Sequence, residues 1–329
     1  MVRFHSVLLV LFGIAGPMVA ADDKAVTFFV TSDSHYEATR ILDRNDRNRV
    51  TIERMNAIPG TPWPEKLGGG MIAKPSGVLL LGDVIDLGDR RDESAVMWRN
   101  FEKQFGIDGT DALLKYPVYE GWGNHDGPPI GKEKFGFSMQ AQLKQRNSKR
   151  KQAGRITNVA ENGLHYSWDW NGIHFIMANL YPADKQHDKV RYSLPWHDPQ
   201  FALQFIKDDL KAHVGDSNRP VIVLSHCGVD TDWWHKDDGA EFYKAVKPYN
   251  MIGYFYGHSG TGFRTWKPEG ENKPLDCINT GQTEKEFFAV KITSMRMRLA
   301  YQIKKDPKAL ENIEWEWKFL LDKPLKLGK

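Results

Sequence analysis

The stretch AVTFFVTSDSH, residues 25–35, sets the pattern for the whole chain: an aliphatic and aromatic run stops abruptly at Ser32, Asp33, Ser34 and His35. A short apolar run bounded by polar residues reads as a buried strand, so the polar residues fall at its C-terminal end. The design recurs in SGVLLLGDVID (76–86), YPVYEGWGNHD (116–126), RPVIVLSHCGVD (219–230) and NMIGYFYGHSG (250–260). Each of these segments ends in Asp, Asn or His.

Between them lie stretches with apolar residues three and four apart, ESAVMWRNFEKQF (93–105) and DPQFALQFIKDDLKAH (198–213), which predict helices. Strands alternating with helices make an α/β protein, with a crevice at the strand ends. Asn171-Gly172 inside LHYSWDWNGIHFIMANLY (164–181) signals a hairpin. FFAVKITSMRMRLAYQI (287–303) reads as two closing strands, and the charged residues 304–329 as a peripheral extension. GTPWPEKLGGG (60–70) reads as a loop rather than a linker, and its glycine run lacks the Lys-Ser/Thr ending of a phosphate loop. One catalytic domain over 22–303 is expected.

At 329 residues, 41% hydrophobic and 26% charged, the composition is that of a globular protein with a substantial core. A net charge of +3 gives no strong signal for nucleic acid or membrane. MVRFHSVLLVLFGIAGPMVAADDK (1–24) has the layout of a secretory signal, with Arg3, then an apolar core from Val7 to Ile14, then small residues. That core is too short for a membrane span, so cleavage is expected after Ala21, with Val19 at minus three, leaving a secreted or periplasmic protein with no transmembrane segment. Cys227 and Cys277 are the two cysteines, read as separate buried thiols with a bridge as the alternative. Oligomeric state is not legible.

Metal ions that activate water take carboxylate, imidazole and amide ligands and keep positions open for substrate. Asp33 and His35 flank one residue, and in an extended strand such positions point to the same side. Asp83 is placed to bridge two ions through its two oxygens. Asn124, His226 and His258 supply the remaining shell. Each alone is ordinarily a turn residue, a cap or a satisfied histidine, but that bland reading must hold at every strand end at once.

These motifs, SDSH, GDVID, GNHD, the SH of VLSHCG and GHSG, resemble those of the calcineurin-like metallophosphoesterase family, in the same order and over nearly all of the mature chain. The resemblance implies two mixed β-sheets packed as a sandwich and flanked by helices. It also implies a dinuclear centre of divalent or mixed-valence ions (Mn, Fe, Zn or Co) and hydrolysis of a small phosphate mono- or diester. Residue by residue, it gives Asp33, His35 and Asp83 to one ion, and Asp83, Asn124, His226 and His258 to the other. His125 becomes the proton donor to the leaving oxygen, with Asp126 as its orienting partner.

The sequence departs from the commoner G-H-x-H ending, since Gly260 follows Ser259, which removes one histidine from the first ion. A rival reading is a non-catalytic, carbohydrate-binding module with a degenerate metal site and a binding face drawn from the eleven tryptophans. A serine hydrolase fits less well, because Ser225 lacks the G-x-S-x-G elbow. Tyr36, Trp122, Trp233, Trp234 and His235 are expected over the strand ends, as substrate contacts or as packing. The basic run QLKQRNSKRKQAGR (142–155), like Arg44, Arg47 and Arg49, either attracts anions or forms a solvated helix face.

Overall fold

The computed structural model describes residues 25–187, 197–229 and 235–325. The expected signal segment, and Trp233 and Trp234, lie outside them. One six-stranded sheet contains β1 (Val26–Thr31), β2 (Val78–Leu80), β3 (Val118–Glu120), β11 (Glu286–Ile292), β12 (Arg296–Lys304) and β13 (Trp315–Pro324). Its order is β13-β12-β11-β1-β2-β3, parallel among β1, β2 and β3 and antiparallel elsewhere. The other sheet runs β4-β5-β6-β7-β8-β10-β9. Its strands are β4 (Asn158–Val159), β5 (Tyr166–Trp170), β6 (Ile173–Met177), β7 (Pro220–Leu224), β8 (Asn250–Tyr256), β9 (Gly262–Trp266) and β10 (Leu275–Asn279).

Period-two alternation explains the layering. In β1, Val26, Phe28 and Val30 enter the cluster between the sheets, with Tyr119, Trp168, Phe175, Ile222, Phe255 and Val290. Phe29 points the other way, among helix residues. With both faces covered, the strand reads as a continuous apolar run rather than an alternating one. Aromatic pairs hold the middle of the sandwich: Phe28 meets Phe175 edge-on at 5.4 Å and Tyr119 stacks on Trp168 at 4.5 Å.

Among the described residues five α-helices flank the sheets: α1 (Arg44–Ala57), α2 (Arg91–Phe105), α3 (Met139–Gln152), α4 (Ala202–Asp209) and α5 (Lys236–Val246). On α2, Met97, Trp98, Phe101 and Phe105 form one buried stripe, worth roughly 1.5–3 kcal/mol for each large side chain. The second predicted helix is α4, prolonged by a π turn over Leu210–Val214. The predicted hairpin is β5–β6, with Asn171 at φ 47° and Gly172 at φ 82°, the left-handed pair a two-residue type I′ turn requires. Among the described residues no helix is long and apolar enough to cross a membrane.

Two sequence expectations change, and a third gains a detail. The segment after Lys304 supplies the edge strand β13, where Trp317 stacks on Trp63 at 6.0 Å, so it is built into the sheet. Residues 60–70 remain a loop, but Trp63 and Leu67 are buried in the helix-side core. The basic run forms most of α3, yet Arg146 and Arg150 point inward to Glu120, which is fully buried. Arg146 Nε lies 2.7 Å from Glu120 Oε1, and Arg150 pairs with the other oxygen. At these two positions the run is therefore core rather than a solvated face. Both cysteines are buried free thiols.

A second buried charge cluster joins the far end of the other sheet. His174 is enclosed, with Nδ1 2.7 Å from Asp169 and Nε2 2.6 Å from Asp209. Arg219 joins them, 3.1 Å from His174 Nδ1 and 3.0 Å from Asp169, so the ring shares that carboxylate with a guanidinium. Burial favours the neutral ring, but the two carboxylates outweigh it and raise the pKa. His174 stabilisation is thus complete below the unfolded value of about 6.5, and is lost as pH climbs through the raised folded value. Melting temperature should fall over that alkaline range, and less steeply in His174→Gln; equal slopes would remove the ring from this role. Glu120→Gln strands two buried guanidinium groups and should cost ~3–5 kcal/mol in urea unfolding.

Candidate metal centre

The first strand and the second hand over to two turns that are zipped together. Asp33 N–H donates to the Gly82 carbonyl at 3.0 Å, His35 N–H to Asp83 at 2.9 Å and Tyr36 N–H to Val84 at 3.0 Å. Ser32 and Ser34 add side-chain bonds to the carbonyls of Leu81 and Val84, each 3.0 Å. Within this frame Asp33 (φ 51°), His35 (φ 43°), Asp83 (φ 49°) and, after β8, His258 (φ 70°) all adopt left-handed backbone. Such conformations cost of order 1–3 kcal/mol each and persist only where the surroundings impose them. The sequence argument that Asp33 and His35 share one side of an extended strand is therefore corrected: β1 has ended at Thr31, and two left-handed residues turn the side chains inward.

The side chains converge nonetheless. His35 Nε2 lies 3.7 Å from Asp33 Oδ1 and 3.7 Å from Asp83 Oδ2. His226 Nε2 lies 3.2 Å from Asp83 Oδ2 and 2.9 Å from Asn124 Oδ1. The His258 N–H donates to Asp33 Oδ2 at 2.9 Å, and the His226 and His258 rings sit 5.1 Å apart. Donor atoms of Asp33, Asp83 and His226 fall within 4.8 Å of one another, as do those of His35, Asp83 and His125. Asp83 belongs to both groups. The buried Cys227 thiol forms another with His226 and His258, although burial pushes its pKa well up.

The donor chemistry fits cations. His226 Nδ1 faces the Leu81 carbonyl at 2.8 Å, which assigns the proton to that nitrogen. Its Nε2 lone pair then looks directly at two oxygen acceptors, an arrangement that demands a shared positive charge. The titration behaviour says the same. Burial would raise the carboxyls of Asp33 and Asp83, but neighbouring imidazoles hold both low. Burial would lower His35 and His226, but the carboxylates raise them to about 10 and about 9. His258 drops to about 4 through burial and repulsion from His226, which outweigh the pull of Asp83 and Asp33. Buried anions are thus compensated by protons on imidazole, sites that a divalent ion with oxygen and nitrogen ligands also suits.

Glycines make room for this packing. A Cβ on Gly123 would fall 2.3 Å from Asp83 Oδ1, and one on Gly257 1.9 Å from Ser32 Oγ. Gly260 has nothing within 4 Å of such a position.

His125 stands exposed beside the ligands, with its N–H on Asp83 Oδ1 at 2.9 Å. Its ring does not meet Asp126 as expected. The Asp126 carboxylate accepts instead from the amides of Gly123 (2.7 Å), Ile85 (2.9 Å) and Val84 (3.2 Å), while His125 Nδ1 meets the Asp86 carbonyl at 2.7 Å. Burial and the nearby Asp83 raise the Asp126 carboxyl to about 7. Asp86 went unassigned in the sequence, although it ends the GDVID motif; its Oδ1 also lies 3.4 Å from His35 Nδ1 and 2.5 Å from Arg44. Tyr36 and Trp122 are core residues, His235 caps α5, Arg47 pairs with Glu284 and Arg49 with Glu53.

Comparison with known proteins agrees with this architecture. The sequence profile described as calcineurin-like phosphoesterase matches residues 26–261. Among curated proteins none matches the chain significantly by sequence. Solved structures do. "Structure of PhoD" has a TM-score of 0.52 at 11% identity, covering 95% of this chain and 74% of that one. A purple acid phosphatase from yellow lupin (Lupinus luteus) seeds has a TM-score of 0.51 at 13% identity, covering 85% of this chain and 51% of that one. GAP50 of Plasmodium has a TM-score of 0.51 at 11% identity, covering 93% and 90%. At such identities the likeness is one of fold.

Gly123→Ala drives a methyl group into Asp83 and should weaken Mn²⁺ or Zn²⁺ binding in calorimetry about tenfold or more, in the range for lost supporting contacts. Unchanged affinity would show that Asp83 is not held for a cation.

Proposed function

Since the chain belongs to the calcineurin-like phosphoesterase family, we propose that it hydrolyses phosphate mono- or diesters at a pair of cations drawn from Mn, Fe, Zn or Co. In this reading Asp33, His35 and Asp83 hold one ion, and Asp83, Asn124, His226 and His258 the other. The observation that carries it is that Asp83 belongs to two groups of converging donors, one of Asp33, Asp83 and His226 and one of His35, Asp83 and His125. When bound, the ions supply a water-derived nucleophile at neutral pH and neutralise phosphoryl oxygens.

The chain's own residues do the rest. The ring of His125, anchored through Nδ1 on the Asp86 carbonyl, is exposed beside the ligands and lines, with Asn124, a cavity of about 780 Å³. From there the ring donates a proton to the departing alkoxide. Asp126 is a positioning residue: by binding three amides it fixes the turn carrying Asp83 against the turn carrying Asn124 and His125. The layout of residues 1–21 supports an exported protein, secreted or periplasmic.

A second reading rests on the open space at Gly260. GAP50 is described as an anchor in an inner membrane complex, a role that asks for no turnover. Here the same fold would serve as a binding module with a weakened metal site.

Metal-reconstituted protein should cleave 4-nitrophenyl phosphate or its diester analogue, stop on chelation and resume on metal addition; no turnover with any of the four metals would favour the second reading. His125→Ala should lower kcat by about 10²–10⁴, with metal content unchanged. Loss of the ions in that variant would instead make His125 a ligand.

A further inference from the structure

Two cavities flank the candidate centre, and they share no lining residue. One, of about 780 Å³, touches Asn124 and His125; the other, of about 510 Å³, touches Asp33 and His258. Both lie within the size range of small-molecule sites. Gly260 and Gly281 lie in the wall of the second, and a Cβ on Gly260 would meet nothing within 4 Å, so the cavity is open at that position, while Gly281 packs closely against Glu286 and Thr261. Its remaining wall is mostly polar, with Ser259, Thr261, Gln282, Lys285 and Tyr301.

A monoester has a single organic arm, the leaving group, and that arm belongs on the side of the proton donor His125. It leaves the second cavity with nothing to hold. A diester has a retained arm as well, which must depart from phosphorus in another direction and needs space there.

We infer that the substrate is a phosphodiester whose leaving group occupies the His125 cavity and whose retained arm, a polar hydroxyl-bearing alcohol such as a sugar, occupies the cavity beside Gly260. This inference rests on the phosphoesterase reading. In the reaction, the oxygen of water bonds to phosphorus and gives up a proton to solvent, the bond from phosphorus to the leaving oxygen breaks, and His125 protonates that oxygen and is recharged from solvent. The product is a monoester of the retained alcohol.

The 4-nitrophenyl ester of thymidine 5′-phosphate tests this, with 4-nitrophenyl phosphate as the monoester. Metal-loaded protein should release thymidine 5′-phosphate and nitrophenol, with kcat/KM above that for the monoester by about tenfold, the scale of one well-filled subsite. Thr261→Trp and Lys285→Trp each fill the second cavity from a different wall, and each should lower kcat/KM for the diester about tenfold more than for the monoester. Unchanged melting temperatures check that the variants fold, and either one alone decides the outcome. A preference for the monoester, or equal losses on both substrates, would overturn the inference while leaving the phosphoesterase reading intact. Cleavage of neither substrate would overturn both.

Discussion

Asp83 is the residue on which the arrangement turns. It sits fully buried at the end of a central parallel strand, in left-handed backbone, with one oxygen toward the His125 amide and the other toward His35 and His226. A carboxylate in that position is expensive to desolvate, and it persists only where positive charge surrounds it. The zipper between the β1 and β2 turns, together with Asp126 on the Val84, Ile85 and Gly123 amides, holds it there. Remove that frame and the convergence of distant strand ends has no centre.

The same rule governs the rest of the interior. Glu120 is enclosed with Arg146 and Arg150, and His174 with Asp169 and Asp209, so each buried charge has its partner within the protein. The candidate centre gathers more such groups in one place: His35, His125 and His226 converge with Asn124 on the carboxylates of Asp33 and Asp83, a donor set in which protons and metal ions compete for the same nitrogens.

Much of this was legible in the sequence, because strand-end motifs report on topology. Five apolar runs ending in Asp, Asn or His determine where a parallel sheet places its crevice, and Asn171-Gly172 marked the hairpin directly. Other features were hidden for physical reasons. The left-handed turns at Asp33 and His35 depend on bonds to Gly82 and Asp83, about fifty residues away, which local spacing does not reveal. The neighbouring Asp126 looked like the natural partner of His125, yet in a tight turn adjacent side chains diverge, and a backbone carbonyl from another strand end took that position. The inward arginines of α3 were masked by the lysines beside them, since a basic run carries no mark of which positions face the core. Residues after Lys304 looked peripheral by charge, but alternation around Trp315 and Trp317 was a strand signal.

The central claim is that Asp83 is shared between two cations. Anomalous diffraction from crystals grown with Mn²⁺ or Zn²⁺ tests it most directly. Two peaks are expected, each within direct coordination distance of a different Asp83 oxygen or of the carboxylate as a bridge. One peak alone, or peaks that leave Asp83 uncoordinated in an otherwise ordered site, would contradict the account.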